Sequence, residues 1–484
     1  MEGMSMKSNS RFYEDIMSIH DGVTGTCLLN SVSFPNGEKL LFAVDCGLFQ
    51  EREYEYLNET LPFNGRNVDF CLVTHNHVDH TGRLPLMVKA GFSGGIYATE
   101  TTCKLLPLAL EDSFKVLREA AKKKKTRPLY NEMEVEKTLS QLKPCAYQET
   151  IKVHEHVKVT FFDNGHLIGA AVILVQISYP GYEDINLLFT GDYRSYNTFY
   201  DVRPLPDWVL KLPLTIIQES TYGDRDTDDM QPCFKENIQS CLKDGGTAVT
   251  MVFSLGRAQE ILYELKTMQK NGTLDKEIPI YFDGKLGIRY TNLFLEDGLD
   301  IKPEMKDFLP ENLTYVNKET RMSVLKDVNK KIILTTSGMG SDGPAQLYIP
   351  EYLKRENALL QFAGYTAEGT LGSRLKNAQM NEKVEIAGQM IVKRARIEYA
   401  KEYSGHAKAN ELIAFLKPIE RPKLILINHG RTQVKQIYKQ RVIKEVQPKQ
   451  VEILGRDYFF RVNPYGLEKV LPTKFDKDVK KCVL

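Results

Sequence analysis

The sequence has no CxxC pair, almost no net charge and no long apolar run, and each absence argues against a class of protein. Its eight cysteines lie far apart, which argues against a zinc knuckle or a disulfide framework. With 64 Lys+Arg against 63 Asp+Glu, the net charge is +1, so any nucleic acid must be bound by a local basic surface. The sequence contains no run of about 18 apolar residues, the length that could span a bilayer, and residues 1–17 contain no apolar signal sequence. We therefore expect a cytoplasmic protein with reduced thiols and no membrane partner.

The composition is that of an ordinary globular protein. The chain has 484 residues, of which 42% are hydrophobic and 26% charged. At roughly 100 to 200 residues per domain, this length predicts two to four domains. The sequence contains no internal repeat, low-complexity tract or long Pro/Gly/Ser linker, so a second domain must be packed on the first or inserted into it.

Short apolar runs alternate with helical patterns, which predicts the α/β class with mostly buried strands. The runs that matter cover residues 40–44, 70–73, 187–189, 215–217, 247–252, 332–334 and 424–427. Each leads directly into a polar cluster, where open α/β sheets bind ligands. Residues 104–143 are instead predicted as helix, and the lysines at 122–125 within them form either a solvated helix face or a phosphate-attracting rim.

The most informative segment is Thr74–Gly82, a strand end with the pattern His-x-His-x-Asp-His followed by a helix start. His75 and His77 are two residues apart on extended backbone, so their side chains point to one side and can share a metal. Asp79 and His80 lie further round the turn and suit a second metal. Imidazole and carboxylate ligands without thiolates favour zinc, with manganese or iron as alternatives.

Two further strand ends carry suitable ligands, at residues 163–166 and 189–193. Gly191 gives the chain the freedom for a tight turn, and Asp192 is the candidate carboxylate to bridge two cations. Two metals about 3.5–4 Å apart hold a hydroxide and act as Lewis acids on a phosphoryl or carbonyl oxygen. Asp45, at the end of the 40–44 run, is placed to orient a ligand histidine.

The order of these elements resembles the metallo-β-lactamase fold superfamily. The resemblance rests on His-x-His-x-Asp-His at 75–80, a later His166 after Gly165, and then Gly191-Asp192. It implies a four-layer αββα sandwich with a binuclear metal site. The superfamily hydrolyses lactams, thioesters, phosphodiesters and other substrates, so the fold alone does not choose the reaction.

The second half of the chain indicates which of these reactions the protein catalyses. Residues 219–225, 404–407 and 428–430 resemble motifs A, B and C of the β-CASP nucleic-acid-processing branch, in which an α/β domain is inserted into the lactamase core. We therefore predict a lactamase domain over 1–215, an inserted β-CASP domain over 216–390 and the C-terminal part of the lactamase domain over 391–484. Further segments are similar to prokaryotic RNA-processing members related to the endonuclease that cleaves pre-mRNA 3′ ends: 22–27, 45–50, 254–260, 337–339 and 364–372.

The resemblance implies a metal-dependent phosphodiesterase that acts on single-stranded RNA, with two zinc ions or manganese. Carried over motif by motif, it assigns one metal to His75, His77 and His166, the other to Asp79, His80 and His429, and Asp192 to both. The resemblance also implies catalytic roles for Asp79 and Asp192. A histidine in motif C accompanies the RNA-processing members, whereas the DNA repair branch usually has an apolar residue there.

Five other residues are implied around the reaction. His406 is a proton donor to the leaving 3′ oxygen or a cationic phosphate clamp, since imidazole titrates near neutral pH. Glu219 either orients His406 or caps a turn. Arg257 either donates hydrogen bonds to two phosphate oxygens at a helix N-terminus or forms a surface salt bridge. Ser337 and Gly338 either offer backbone N–H groups to RNA or make a turn.

Two positions depart from the family pattern, and one histidine pair is set aside. Arg431 stands where an acidic residue commonly follows motif C, and Lys408 where Asp or Gly often follows motif B. Both add positive charge and put the support of the motif C histidine in doubt. His154 and His156 form a second His-x-His, but they alternate with valines and are predicted to lie on an exposed strand face.

The leading hypothesis is an endonuclease, because the chain ends soon after the lactamase core, at about Val462. The first alternative is a 5′-to-3′ exoribonuclease of the ribonuclease J type, which usually carries a further C-terminal domain. A second is a non-catalytic RNA-binding subunit, which typically loses metal ligands. A small-molecule lactamase or thioesterase has no use for the insert or for motifs A to C. Homodimers are common among relatives, although no interface stripe is evident here.

Overall fold

The computed structural model describes residues 12–51, 53–227, 232–364, 366 and 369–473. These residues divide into two compact units. The first contains the described residues up to 197, those from 202 to 227 and those from 406 onwards. The second contains 198–201 and the described residues between 228 and 405, so it is inserted into the first along the chain.

The first unit is built on two sheets. One sheet has the strand order β23-β22-β1-β2-β3-β4-β5-β6. Its strands are β1 Tyr13–Ser18, β2 Leu28–Ser33, β3 Lys39–Val44, β4 Phe70–Leu72, β5 Gly95–Thr99, β6 Leu142–Cys145, β22 Tyr458–Asn463 and β23 Gly466–Pro472. Strands β3 to β6 are mutually parallel, so the carboxyl ends of β3 and β4 lie at the same edge.

The other sheet has the strand order β21-β20-β11-β10-β9-β8-β7. Its strands are β7 Thr150–His154, β8 Val157–Asp163, β9 Ala171–Ile177, β10 Ile185–Phe189, β11 Pro213–Gln218, β20 Arg421–Ile427 and β21 Val451–Ile453. Strands β10, β11 and β20 are parallel, with Phe189 paired to Ile217 and Gln218 to Ile427. Three strand ends therefore follow one another along this edge.

Helices cover the outer face of each sheet. They are α1 Val78–Thr81, α2 Leu84–Lys89, α3 Glu100–Lys124, α4 Glu132–Ser140, α5 Asp207–Leu210, α12 Ala409–Leu416 and α13 Thr432–Glu445. One core lies between the sheets and includes Phe42 and Phe161. A second core packs α2 to α4 on the first sheet, and a third packs α12 and α13 on the other. The predicted αββα sandwich is thereby confirmed.

The helix predicted over 104–143 is in fact two helices and the start of β6. Helix α3 ends because its C-cap, Lys125, has a φ of 55°, in the left-handed region that interrupts helices. Helix α4 begins after Asn131, whose side chain forms a capping box with Glu134. Lys122–Lys125 are exposed, and Lys124 lies 3.6 Å from Glu55. These contacts are those of a solvated helix end.

The second unit is a parallel sheet with the strand order β14-β13-β15-β12-β16-β19. Its strands are β12 Thr247–Met251, β13 Ile280–Asp283, β14 Leu313–Val316, β15 Lys331–Thr335, β16 Leu359–Phe362 and β19 Arg396–Tyr399, with a hairpin of β17 Lys383–Ile386 and β18 Gln389–Val392. Its helices are α6 Phe234–Lys243, α7 Arg257–Lys270, α8 Lys285–Leu295, α9 Arg321–Lys326, α10 Ala345–Leu353 and α11 Leu371–Asn377. The continuous apolar runs of β12 and β15 are buried throughout, as both faces of a parallel sheet require.

The second unit and the predicted insert have in common the described residues between 228 and 390. Its start lies later than residue 216 because β11 is hydrogen-bonded to β10 and β20 in the sandwich. Its end lies later than residue 390 because β19 pairs with β16 in the second unit's sheet.

The described helices include none that is both long enough and apolar enough to cross a bilayer. Cys27, Cys46, Cys71, Cys103, Cys145, Cys233 and Cys241 are free thiols. The remaining cysteine, Cys482, lies outside the described residues.

Candidate metal centre

Five strand ends of the first unit deliver histidines and carboxylates to one edge of the sandwich. Strand β3 leads to Asp45, β4 to the segment 75–80, β8 to 163–166, β10 to 190–192 and β20 to 428–429. Strands β3 and β4 are parallel neighbours in one sheet, and β10, β11 and β20 are parallel in the other. Because parallel strands end at the same edge, residues far apart in sequence meet there.

Three sets of side chains at this edge have the geometry of metal ligands. Within each set, the ligand atoms lie within 4.8 Å of one another. The sets are His75, His77, His166 and Asp192; Asp79, His80, Asp192 and His429; and Asp192, Glu219, His406 and His429. The first two sets are those that the resemblance assigned to two metals. Asp192 belongs to all three, as expected of a bridging carboxylate.

In the first set, the ring nitrogens converge. Nδ1 of His77 lies 3.2 Å from Nε2 of His75 and 3.1 Å from Nε2 of His166. His77 has extended backbone and is the N-cap of α1, which turns its ring towards His75. Burial, together with His80, holds the pKa of His75 well below its usual value. His75 is therefore a neutral imidazole, the form that binds a metal.

Asp192 is placed by the turn before it. Gly191 has a φ of +57°, and a Cβ there would lie 2.9 Å from the side chain of Thr74, so this turn requires glycine. Oδ2 of Asp192 lies 3.3 Å from Nε2 of His80, and Oδ1 lies 3.3 Å from Nε2 of His429. Burial alone would raise the pKa of Asp192, but the surrounding imidazoles outweigh burial and lower it well below its ordinary value.

The buried polar atoms of the cluster fit a cation better than they fit one another. Nε2 of His80, Oδ1 of Asp192 and Nε2 of His429 are buried and have no hydrogen-bond partner among the described residues. An unsatisfied buried polar atom costs about 1–3 kcal/mol, and a divalent cation would satisfy all three. Burial lowers the pKa of His429 to about 4, so its ring is also neutral. The donor set therefore fits a metal of the zinc type.

Asp45, which the sequence predicts to orient a ligand histidine, contacts His80. Oδ2 of Asp45 lies 2.7 Å from Nδ1 of His80. The same carboxylate accepts hydrogen bonds from the backbone N–H and the hydroxyl of Thr74, at 2.8 and 2.7 Å. A proton on Nδ1 of His80 leaves Nε2 to face the metal cluster. Burial alone would lower the pKa of His80, but Asp192 and Asp45 raise it well above its ordinary value.

Glu219 follows β11 and lies against His406. Oε2 of Glu219 is 2.9 Å from Nδ1 of His406. Oε1 accepts a hydrogen bond from the backbone N–H of Tyr193 at 2.5 Å, and Oε2 accepts one from the N–H of Thr221 at 3.3 Å. Burial alone would lower the pKa of His406, but the carboxylates of Glu219 and Asp192 raise it. Glu219 therefore contacts both His406 and the backbone of two loops.

Lys408, one of the departures from the family pattern, lies beside His406. Its ammonium donates a hydrogen bond to the carbonyl oxygen of His406 at 3.2 Å. The same ammonium lies 4.2 Å from the ring centroid of Tyr222, and Lys408 is buried. This lysine therefore holds the backbone of motif B against motif A.

Two residues that the sequence did not single out organise the ligands. The amide N of Asn164 donates to the carbonyl oxygens of Thr190 and Asp192, at 2.9 and 2.7 Å. Its amide oxygen accepts from the N–H of His166 at 3.0 Å. The hydroxyl of Thr221 lies 2.9 Å from Nδ1 of His429. Both positions lie inside predicted motifs, but their partners are only evident in three dimensions.

The predicted RNA contacts Arg257, Ser337 and Gly338 lie in the second unit. Arg257 starts α7, is 7% exposed and forms an ion pair with Glu260. Ser337 follows β15, and its hydroxyl accepts a hydrogen bond from the N–H of Asp342 at 3.3 Å. A Cβ at Gly338 would lie 2.7 Å from the ring of Phe253, so the chain here requires glycine.

His154 and His156 do not lie on an exposed strand face. Strand β7 ends at His154 and the chain turns before β8, so the strand alternation does not continue to His156. Both rings contact Phe34, with centroids 6.2 and 5.0 Å away, and both side chains are half-buried. The prediction was wrong because it extended one strand through a turn.

Three family models match the chain. They are the metallo-beta-lactamase superfamily over residues 32–169, the Beta-Casp domain over 258–375 and the Zn-dependent metallo-hydrolase RNA specificity domain over 390–454. The matches cover both units, and the first includes the segment 75–80 and His166.

The curated relatives are nucleic-acid enzymes and factors by name. A ribonuclease from Thermus thermophilus is 30% identical over 402 residues, which is 81% of this chain and 88% of that protein. Transcription termination factor FttA from Methanosarcina mazei is 30% identical over 416 residues, 80% of this chain and 62% of that protein. An endoribonuclease from Schizosaccharomyces pombe is 27% identical over 387 residues, 77% of this chain and 48% of that protein. The chain thus spans less than two thirds of the second and third relatives.

Proposed function

Because this chain belongs to the β-CASP branch of the metallo-β-lactamase superfamily, we propose that it is a metal-dependent ribonuclease that hydrolyses phosphodiester bonds in single-stranded RNA. The proposal is supported by the RNA specificity domain that matches residues 390–454 and by the ribonuclease and endoribonuclease names of two relatives. We further propose the endonucleolytic mode, with 5′-to-3′ exonucleolysis as the alternative outcome of the test below.

The observation that carries the proposal is the convergence of histidines and carboxylates on Asp192. We propose that two zinc ions, or manganese, are held there. The first would be bound by His75, His77, His166 and Asp192, and the second by Asp79, His80, His429 and Asp192. When bound, such ions supply positive charge to the phosphoryl oxygens and lower the pKa of the attacking water.

The residues around the ions have separate tasks. Asp79 belongs to the second ligand set, with its Oδ2 3.9 Å from Nε2 of His80, and its carboxylate accepts a proton from the attacking water. His406 presents Nε2 at 3.8 Å from Oδ2 of Asp192 and donates a proton to the leaving 3′ oxygen. Glu219 holds Nδ1 of His406, so the ring keeps the orientation in which Nε2 faces the reacting phosphate.

Cleavage of end-labelled RNA tests this proposal. Metal-loaded protein would be incubated with 5′-labelled and 3′-labelled single-stranded RNA and with matched DNA, alongside Asp192→Asn. Asp15→Asn is the matched control, because Asp15 is a carboxylate of the same unit that pairs with Arg461 at 2.7 Å, outside the three ligand sets. Internal RNA fragments that Asp192→Asn fails to produce support the endonuclease.

Other products would change the conclusion. Mononucleotides released from the 5′ end would replace the endonuclease with an exonuclease of the ribonuclease J type. Equal cleavage by wild type and Asp192→Asn would contradict two-metal catalysis, and no cleavage by either protein would favour a non-catalytic RNA-binding subunit. Equal cleavage of RNA and DNA would contradict the assigned substrate.

Two further predictions concern the setting of the protein. The free thiols of the described cysteines support a reducing compartment such as the cytoplasm. The homodimer implied by the family resemblance stays a prediction, which sedimentation of the full chain would test.

A further inference from the structure

An exposed tyrosine lies four residues after the shared ligand Asp192. Tyr196 is 53% exposed. The guanidinium carbon of Arg194 lies 4.0 Å from the centroid of its ring, and Nη2 of Arg194 donates a hydrogen bond to the Tyr196 hydroxyl at 2.5 Å. Arg194 itself is 7% exposed. A buried cation therefore packs on a ring that is about half exposed to solvent.

Tyr196 is held next to a proposed ligand of the metal centre. The backbone N–H of Gly165, the neighbour of His166, donates to the carbonyl oxygen of Arg194 at 2.8 Å. The side chain of Asn197 donates to the carbonyl oxygen of Gly165 at 2.9 Å. A Cβ at position 165 would lie 2.3 Å from the carbonyl oxygen of Tyr196, so the close approach of the two loops requires glycine.

Two more exposed side chains lie along the same strand end. Nε of Arg203 lies 2.9 Å from Oδ2 of Asp163, and Arg203 is 50% exposed. The ring of Trp208 lies 6.1 Å from that of Phe162, and Trp208 is 44% exposed. Positions 162 to 165 span at most about 10 Å of chain. Trp208, Arg203 and Tyr196 thus lie against residues 162, 163 and 165, at the end of β8.

We propose that Tyr196, Arg203 and Trp208, here called the aromatic track, bind single-stranded RNA beside the metal centre; this inference rests on the proposed ribonuclease function. One nucleobase stacks on the open face of Tyr196 and another on Trp208, while Arg203 contacts a backbone phosphate. Alternating aromatic and cationic side chains are how proteins bind single strands without reading their sequence. The aromatic track thus positions the strand, and the metal centre cleaves it.

The chain contains a single tryptophan, so its fluorescence reports on one end of the aromatic track. The titration would use the full chain carrying Asp192→Asn, and again wild type treated with a chelator, so that RNA binds without being cleaved. The probes are oligo(A) and an oligonucleotide of equal length whose riboses lack bases. We expect oligo(A) to quench Trp208 emission and the abasic strand to bind far more weakly.

Substitution of the tyrosine separates stacking from charge. Tyr196→Ala should weaken oligo(A) binding about 5- to 150-fold, the range expected for loss of one stacked base. Tyr196→Phe keeps the ring and should bind within about threefold of the parent. Tyr458→Ala is the matched control, because Tyr458 is equally exposed, at 53%, on β22. It should leave the affinity unchanged.

Each contrary outcome has a distinct meaning. Unchanged affinity of Tyr196→Ala, equal binding of the abasic strand, or no saturable binding of oligo(A) by the parent would each overturn the aromatic track. Metal-loaded wild type would be assayed for cleavage in parallel. If RNA binding depends on Tyr196 but no RNA is cleaved, the proposed function is contradicted and the aromatic track is supported. If wild type cleaves RNA and Tyr196→Ala does not raise KM, the proposed function stands and the aromatic track is wrong.

Discussion

Oε2 of Glu219 lies 2.9 Å from Nδ1 of His406, while Nε2 of the same ring lies 3.8 Å from Oδ2 of Asp192. The imidazole therefore links motif A to the shared carboxylate of the metal centre. Since a carboxylate accepts hydrogen bonds, Nδ1 of His406 carries the proton that Glu219 binds. Nε2 faces the centre, and the imidazolium form of the ring gives its Nε2 proton to the leaving oxygen and becomes a neutral imidazole that keeps the proton on Nδ1.

Glu219→Gln should lower kcat about 10- to 100-fold, the usual cost of losing a carboxylate that orients a functional imidazole. KM and metal content should stay within about twofold, because Glu219 acts through His406. Glu452→Gln is the control, since Glu452 pairs with Lys439 at 3.0 Å away from the ligand sets. Steady-state kinetics on RNA, with metal analysis of the same samples, measures both effects. An unchanged kcat, or a loss of metal equal to the loss of activity, would contradict this role.

Asn164→Ala should weaken metal binding about 10- to 100-fold, since its amide fixes the loops that carry His166 and Asp192. The substitution also leaves buried backbone groups unsatisfied, which should cost about 1–3 kcal/mol of unfolding free energy. Chelator competition measures the metal affinity, and urea unfolding measures the stability. Asn186→Ala is the control, because Asn186 is also a buried asparagine and bonds Gln176 outside the centre. Equal metal affinities in the two variants would count against Asn164 as an organiser of the site.

Glu14 should make the protein less stable as the pH rises above about 4.5. Burial, and then the neighbouring Asp15, raises the pKa of Glu14 well above its ordinary value, and neither carboxylate oxygen has a hydrogen-bond partner among the described residues. Above the pKa of the unfolded chain, the unfolded state loses this proton while the folded state keeps it. Unfolding free energy therefore falls with pH, by up to about 1.4 kcal/mol per pH unit, until the folded carboxyl also ionises.

Glu14→Gln removes that dependence. The urea concentration at the unfolding midpoint should be only slightly higher for the variant than for wild type near pH 5, and this difference should grow towards pH 8. Metal binding contributes equally to both proteins and cancels in the difference. A constant difference across this range, or a wild type that gains on the variant with rising pH, would show that Glu14 is ionised in the folded state.

Much of the centre was predictable because its ligands are concentrated in short motifs. The pattern at 75–80 places histidines and an aspartate at one strand end, and Gly191-Asp192 marks a turn that only glycine adopts comfortably. The α/β class followed from the alternation of apolar runs and helical patterns, whereas the sandwich was implied by the family resemblance.

Other features depend on contacts that no local pattern encodes. Asn164 organises the ligands through backbone groups some 26 and 28 residues away, and Thr221 contacts His429 across 208 residues. The limits of the second unit depend on which sheet β11 and β19 join, and strand pairing over such separations is not evident from sequence. Helix α3 ends at Lys124 because one residue, Lys125, has a positive φ.

The most direct test of the central claim is the zinc content and RNA cleavage rate of the same preparations of wild type and Asp192→Asn. We expect two zinc ions per wild-type chain. The variant should hold fewer and lose cleavage activity by at least about 100-fold, because Asp192 contributes to the ligand sets of both proposed ions. Wild type that cleaves RNA at full rate after its metal is removed, or a variant that keeps both its zinc and its activity, would contradict a metal centre built on Asp192.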